Sequence, residues 1–159
     1  MESAVAGLYP GADLADAYAI RLSPDSSRSI VALARCVLGS PAPWVRLLMG
    51  LRDTIMTLFG VKTARQLREG GSDRIDVFRI YSVSENEMIV GEDDRHLDFR
   101  ASILLRPSET EAGDELVTTT VVHCHNLLGR FYIALIAPFH RMVVRSNLHR
   151  AALKGWPAK

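Results

Sequence analysis

The chain has 159 residues, of which 48% are hydrophobic and 23% charged, and it carries a formal net charge of +1. This length fits one domain (residues 1–159, with a core from about 16 to 153), and such a domain buries roughly 70% of its unfolded surface. The composition excludes a disordered or fibrous protein, and the near-zero charge excludes a whole-molecule field that attracts nucleic acid or an anionic membrane.

The chain begins with a segment that is expected to be loose, followed by a strand. From Ala17 to Leu22, large apolar side chains alternate with small or polar ones, the period of a half-buried strand. A helix is then predicted from Ser23, as its N-cap, to about Leu38. Gly39 is expected to end this helix in a left-handed conformation.

A second predicted helix carries an apolar stripe whose residues recur every three or four positions: Trp44, Leu48, Leu51, Ile55, Leu58 and Phe59. Gly60 is expected to close it. From Val61 to Asp76 the apolar pattern weakens, and the pair Gly70 and Gly71 indicates a loop or a short helical turn followed by a bend.

Four more strands are predicted: Val77 to Val83, Met88 to Gly91, Leu97 to Leu105 and Glu115 to His125. With the first strand, the pattern predicts five in all. An acidic turn, Glu92 to Asp94, separates the strands Met88 to Gly91 and Leu97 to Leu105. Within the Leu97 strand, the apolar residues share one face, and His96, Asp98, Arg100 and Ser102 share the other.

The last predicted element is one long helix that is capped by Asn126 and ends near Leu153. It contains Pro138, which lacks an N–H group and has a bulky ring, so we expect a kink near residues 134–137 rather than a break. The predicted fold class is α+β: an antiparallel sheet with two short helices after the first strand and a long C-terminal helix across it.

Cysteine usage and targeting signals bear on the cellular compartment. Cys36 and Cys124 lie in apolar segments without the spacing of a redox pair or metal site, so both are predicted to be buried and reduced. The N-terminus does not resemble a secretory signal. The longest charge-free apolar run, Phe131 to Phe139, is shorter than the roughly 20 residues of a spanning helix. We therefore expect a cytoplasmic protein without membrane insertion.

Three segments resemble an uncharacterised bacterial family of unknown function, domain-of-unknown-function family 2867: Gly91 to Arg100, His125 to Tyr132, and Pro138 to Arg145. That family is similar in architecture to the helix-grip proteins, which include START-type lipid binders and polyketide cyclases. The resemblance implies a long C-terminal helix over the concave face of a sheet that often has six or seven strands. It implies no catalytic residue.

His96, Asp98 and Arg100 alternate along one predicted strand beside the acidic turn. They could line a polar site in which the carboxylate orients the histidine and the guanidinium binds an anion. The plainer interpretation is a solvated convex face that cross-strand ion pairs hold together, since outward residues of antiparallel strands are commonly charged. The sequence leaves both open.

His123 and His125 form an H-x-H pair, which on a strand can present two imidazoles to one metal ion. A third ligand would have to come from His96 or Asp98. Packed or hydrogen-bonded histidines explain the pair as well, so no metal site is predicted.

The junction between the last strand and the terminal helix is a second candidate contact point. Asn126 is expected to cap the helix, while His125 could contact a ligand at the rim of a cavity. Gly129 allows a close approach of the backbone to whatever lies opposite.

The terminal helix is basic, with Arg130, Arg141, Arg145, His149 and Arg150. Such a helix could bind phosphate or nucleic acid, but cations are also favoured near a helix C-terminus and on its solvated face. Because few aromatic residues accompany them for base stacking, we expect no nucleic-acid partner.

The leading hypothesis is a binding module that holds a hydrophobic or amphipathic small molecule between sheet and terminal helix, with contacts from His96, Asp98, Arg100, His125, Asn126 and Tyr132. No cofactor is predicted, and no catalytic residue is assigned, because the sequence lacks a phosphate loop, a G-x-S-x-G elbow and a cysteine–histidine signature. One alternative is a cyclase- or hydrolase-like enzyme with His125 or His96 as general acid or base. Another is a structural or homodimerising protein without a ligand.

Overall fold

A computed structural model describes residues 2–39, 41–47, 50, 74–108 and 113–158. Within them lie the helices α1 (Ile30–Leu38) and α2 (Leu127–Lys154) and six strands, β1 (Leu14–Arg21), β2 (Arg74–Ile75), β3 (Phe78–Val83), β4 (Glu87–Asp93), β5 (Leu97–Arg106) and β6 (Glu115–Cys124). Residues 43–47 are also helical. The predicted α+β class is confirmed, with an open antiparallel sheet and a long C-terminal helix that packs against it.

The described strands form one sheet in the order β1-β6-β5-β4-β3-β2, and every neighbouring pair is antiparallel. Strands β2 to β6 follow one another as a meander, whereas β1 pairs with β6 at the other side of the sheet. The sequence predicted five strands and missed β2, because two residues are too few to show an alternating pattern. The register of β3 shifts between Ile80 and Ser82, which marks a bulge.

One face of the sheet, called the inner face below, carries the core. At one end, α1 and the last turns of α2 pack on it, with Leu33 and Leu148 buried against Ile103. At the other end, a smaller apolar cluster joins β1, β6 and the first half of α2: Leu14, Val122, Cys124 and Ile133. Burying a large aliphatic side chain stabilises a fold by roughly 1.5–3 kcal/mol. The two clusters therefore hold α2 across the sheet at both ends.

The opposite face of the sheet, called the outer face, is partly covered by the N-terminal segment. Val5 is buried there, and Ser3 Oγ donates a hydrogen bond to Glu87 Oε1 at 2.8 Å. The same carboxylate oxygen accepts from Ser102 Oγ at 2.5 Å, which explains why this polar residue of β5 is buried. The sequence predicted a loose segment before residue 16; in the structure these contacts attach it to the sheet.

Helix α1 begins later than predicted. Its N-cap is Ser29, whose Oγ accepts a hydrogen bond from the backbone N–H of Ala32. Ser23, the predicted cap, instead starts a turn in which the Ser26 N–H donates to the Ser23 carbonyl at 3.0 Å. Ser26 also forms a bridge with Ala158, so this stretch is held outside the helix. Gly39 caps the other end with a φ of −81°, so the left-handed conformation predicted for it is wrong.

The second predicted helix lies mostly outside the described residues. Residues 43–47 and Gly50 are helical, as predicted. The rest of the stripe that ends at Phe59, together with Gly60 and the Gly70 and Gly71 bend, lies outside the described part of the chain.

Helix α2 begins at the predicted cap. The Asn126 Oδ1 accepts the Gly129 N–H at 3.0 Å, and the helix continues through Pro138 to Lys154 as one element. The absence of a break at the proline is confirmed, while the kink remains a prediction.

Candidate functional site

A pocket of about 280 Å³, partly open to solvent and called the cavity below, lies between the inner face and α2. The two apolar clusters border it, so it occupies the part of the interface that neither cluster fills. Its wall is mainly apolar and includes Leu14, Phe78, Phe99, Val122, Ile133 and Val144. Such a wall favours a guest with substantial apolar surface, because removing that surface from water is the main driving force.

A few polar side chains also reach the cavity wall: Thr118, Thr120, His140 and Asn147. The threonines are buried on β6, and the other two lie two turns apart on α2. Asn147 Oδ1 is buried without a hydrogen-bond partner in the described part of the chain. Since buried polar atoms are nearly always hydrogen-bonded in folded proteins, this acceptor calls for a donor.

Asp16 lies beside His140, on the inward row of β1. Its Oδ1 is 3.4 Å from His140 Nε2, and the side chains are 12% and 23% exposed, respectively. Within the described residues, both carboxylate oxygens of Asp16 and the Nε2 of His140 are buried without a well-formed hydrogen bond. Asp16 pairs with Thr120 of the cavity wall in the β1–β6 register. A carboxylate that lies beside a cavity-facing imidazole is the arrangement that orients a histidine for binding or proton transfer.

The end of β4 and the turn that leads to β5 form another polar edge of the cavity, where Glu92, Asp93, Asp94 and His96 contribute to the wall. His96 Nδ1 lies 3.1 Å from Asn126 Nδ2; an amide nitrogen can only donate, so Nδ1 accepts this bond. Gly129 of α2 packs on the same turn, and a Cβ at that position would overlap the His96 carbonyl oxygen. The close backbone approach predicted for Gly129 is therefore confirmed.

The six predicted ligand-binding residues separate into two groups. His96 and Tyr132 line the cavity, and Asn126 adjoins it through its contact with His96. Three others lie outside the cavity wall: Asp98, Arg100 and His125. Successive side chains of a strand point to opposite faces, and Phe99 and its inward neighbours occupy the inner face, so Asp98 and Arg100 lie on the outer one. Arg100 and His125, which were predicted to contact the ligand, thus face away from the cavity.

Arg100 belongs to a compact outer-face cluster with Asp93 and Tyr81. Its Nη2 is 2.7 Å from Asp93 Oδ1, its Cζ lies 3.7 Å from the centre of the Tyr81 ring, and the Tyr81 hydroxyl donates to Asp93 Oδ2 at 2.7 Å. Burial and the hydrogen bond to Asp93 raise the pKa of Tyr81 to about 12. Burial alone would raise the pKa of Asp93, but hydrogen bonds from Tyr81 and Arg100 outweigh it and leave that pKa below its ordinary value. These contacts are cross-strand pairs of the kind that the plainer interpretation described.

The H-x-H pair lies next to this cluster. His125 Nε2 is 3.1 Å from Asp98 Oδ1, and the His123 and His125 rings meet edge to face at 5.5 Å. His123 Nδ1 lies 4.0 Å from Asp13 Oδ2. Among the described residues, no group of three or more histidine, cysteine or acidic side chains has the geometry to hold a metal ion.

Neither cysteine has the surroundings of a nucleophile. Both are free thiols; Cys124 is buried as predicted, and Cys36 is half-buried. Burial and the neighbouring Asp13 raise the pKa of Cys124 to about 11, and burial also raises that of Cys36. Both side chains therefore stay protonated near neutral pH, which makes them poor nucleophiles.

The pattern analysis missed Asp16 and His140. The first strand was predicted to begin at Ala17, so Asp16 was not assigned to its inward row, although it follows Leu14 at the spacing of two that this row requires. His140 falls in the same helical row as Ile133 and Val144, and that periodicity was the available signal.

A model of the family described as Protein of unknown function (DUF2867) matches residues 8–147, which is 140 of the 159 residues. No curated protein and no solved structure gives a significant match. The match includes β1, Asp16, the whole sheet and α2 as far as Asn147, and therefore every side chain of the cavity wall. The chain belongs to the DUF2867 family.

Proposed function

We propose that this protein binds a hydrophobic or amphipathic small molecule in the cavity between the inner face and α2. The observation that carries the proposal is a cavity of about 280 Å³ whose apolar wall includes His140, which lies beside Asp16. Ligand pockets usually measure about 300–1,000 Å³ and combine an apolar wall with a few convergent polar groups, so this cavity has the usual composition and a volume just below the usual range. The order of strands and helices, with a long helix over the sheet, also supports kinship with the helix-grip proteins.

The polar atoms around the cavity suggest the chemistry of the ligand's head group. One acceptor of the cavity wall, Asn147 Oδ1, is buried without a hydrogen-bond partner within the described part of the chain. The oxygens of Asp16, next to His140 of the wall, are also buried without a well-formed hydrogen bond there, and Asp16 Oδ1 lies 3.4 Å from His140 Nε2. Leaving a buried acceptor unpaired costs about 1–3 kcal/mol, so a ligand that supplies a donor gains this energy as affinity. We therefore expect a head group with a hydroxyl or an amine rather than a carboxylate, which would place its charge close to Asp16.

The test compares ligands that differ only in the head group. Protein shown to be ligand-free by native mass spectrometry is melted with C8 to C12 alkyl alcohols, amines and carboxylates. The alcohols and amines should raise the melting temperature, because a ligand at about one hundred times its Kd adds roughly 2.7 kcal/mol of stability. His140→Gln should lose the response.

His125→Gln is the matched control, since it makes the same change at a histidine outside the cavity wall and should keep the response. Melting temperatures that stay flat across the panel would contradict the proposal. A response that survives His140→Gln but not His125→Gln would move the site to the outer face.

A second candidate function is acid–base catalysis in the same cavity, and the Asp16 and His140 pair favours it. A histidine that faces a bound substrate and is backed by a carboxylate contributes typically 10²–10⁴-fold to a proton transfer. The probe is a long-chain methyl ketone in D₂O, with deuterium uptake next to the carbonyl followed by NMR. Uptake above the buffer rate that disappears in His140→Gln but persists in His125→Gln would establish catalysis. If the ketone is bound but uptake stays at the buffer rate, the protein binds the ketone without catalysing proton transfer.

A further inference from the structure

The side of α2 that faces away from the sheet carries a row of exposed apolar residues. Leu127, Phe131, Leu135, Phe139 and Met142 are between 43% and 80% exposed. They are spaced four, four, four and three residues apart, so they share one side of the helix. A row of this length has too much apolar surface to be explained as scattered surface residues.

The charges of α2 are all of one sign. Its sequence contains five basic residues and no aspartate or glutamate: Arg130, Arg141, Arg145, Arg150 and Lys154. Arg141 and Arg145 are exposed beside the apolar row and have no ion-pair partner among the described residues, whereas Arg130 lies 3.3 Å from Asp13. The outward surface of α2 is therefore both apolar and cationic, although the whole chain is almost neutral.

We propose that this surface of α2 docks the protein on an anionic lipid bilayer. Amphipathic helices with apolar residues on one side and flanking arginines lie in the interface of such membranes, where lipid head groups neutralise the arginines and the apolar side chains enter the acyl boundary. The inference does not rest on the proposed function, because the residues of this surface do not line the cavity.

The helix lies along the membrane rather than across it. By length and composition alone, α2 is apolar enough to span a bilayer, and only 11% of its most apolar 18-residue window is buried. However, its opposite side contains Ile133, Leu148 and Ala151, which pack into the two core clusters. Spanning would require α2 to leave the sheet and expose that core, whereas binding in the plane uses only the outward side.

A second copy of the chain fits this surface less well. A twofold dimer brings the same patch of both copies together. Here it would place Arg141 and Arg145 of one copy near those of the other, without an acidic residue on either helix to pair with them. An anionic bilayer supplies the missing negative charge along the whole row.

The test is co-sedimentation of the full chain with vesicles of phosphatidylcholine, with and without 30% phosphatidylglycerol. We expect binding to the anionic vesicles that weakens as salt is raised. Phe131→Ser with Leu135→Ser should weaken it at least tenfold, because two inserted side chains are lost. Arg141→Gln with Arg145→Gln should weaken it by about fivefold for each charge, on anionic vesicles only.

Matched controls change the same residue types elsewhere: Val83→Ser, at an exposed apolar position of β3, and Arg21→Gln with Arg35→Gln, which lie on β1 and α1. The controls should bind like the parent protein, and circular dichroism should show every variant folded. The proposal would be overturned if the protein bound neutral and anionic vesicles equally or bound neither. It would also be overturned if the control variants lost as much vesicle binding as the α2 variants. Sedimentation equilibrium showing a dimer that Phe131→Ser and Leu135→Ser dissociate would overturn it as well.

Discussion

Single residues on the outer face show how a charged group is stabilised at a half-buried position. Arg100 is 13% exposed in its side chain, and it is paired on one side by Asp93 and on the other by the face of the Tyr81 ring. A buried guanidinium without such partners would lose several kcal/mol of hydration. The cluster therefore accounts for Arg100 structurally, without a ligand.

The lowered pKa of Asp93 leads to a prediction about acid stability. A carboxylate whose pKa is lower in the folded state stabilises the fold above its unfolded pKa of about 4, and this contribution disappears as the pH falls through the lowered value. Because Asp93 is half exposed, we expect less than about 1 kcal/mol. When the pH is lowered from about 5 to 3, the melting temperature of Asp93→Asn should therefore fall by less than that of the parent protein.

The matched control for that comparison is Glu85→Gln, which removes an exposed carboxylate from the β3–β4 turn. Its melting temperature should fall with pH as steeply as that of the parent. Equal slopes in all three proteins would show that the pair between Asp93 and Arg100 does not contribute to acid stability.

Residue-scale prediction worked where a side chain's role depends on local sequence and failed where it depends on a distant partner. The cap at Asn126 was predicted because capping involves residues only three apart. The pair of Asp16 and His140 was missed because 124 positions separate them and only the docking of α2 on β1 brings them together. Alternation placed Asp98 and Arg100 on one face, but did not show which face borders the cavity.

At the scale of elements, long periodic segments were predicted best. β5 and β6 were found within a residue or two, since ten residues display five repeats of the strand period. The start of α1 was wrong because Ser23 and Pro24 satisfy the local rules for a helix start, while the bridge from Ser26 to Ala158 depends on the distant C-terminus. Tertiary pairing decided between two locally acceptable structures.

The docking of α2 on the β4–β5 turn provides a prediction at this scale. In a free helix, Gly→Ala stabilises by about 1 kcal/mol. At Gly129, however, the added Cβ would overlap the backbone oxygen of His96, which cannot rotate away. We expect Gly129→Ala to lower the free energy of unfolding by roughly 1–3 kcal/mol, the usual cost of overpacking, as measured by urea denaturation.

Gly7→Ala serves as the control for this substitution, because a Cβ there meets nothing within 4 Å. It should leave the free energy of unfolding within about 0.5 kcal/mol of the parent value. A stabilised Gly129→Ala variant would mean that the first turn of α2 does not rest on the turn at His96.

At the scale of the whole molecule, the two sides of α2 differ in composition and surroundings. Its inward side connects two apolar clusters that leave a cavity between them, and its outward side carries the apolar and basic row. A core that only had to be stable would close the gap, since each unfilled methyl-sized space costs about 1 kcal/mol. The open space and the pair of Asp16 and His140 are a local cost in stability of the kind found at functional sites, and they are the observations on which the proposed function depends.

Two identical substitutions on α2 measure that cost. Ala137 lines the cavity, whereas Ala151 is buried in the main core and does not. Ala137→Leu adds apolar volume where space exists, so it should raise the free energy of unfolding by about 1–2 kcal/mol and suppress the response to alkyl alcohols. Ala151→Leu adds the same volume to a filled region and should lower that free energy by about 1–3 kcal/mol. Urea denaturation of both variants decides the matter: if Ala137→Leu destabilises the protein as much as Ala151→Leu does, the space beneath α2 is not available to a guest molecule.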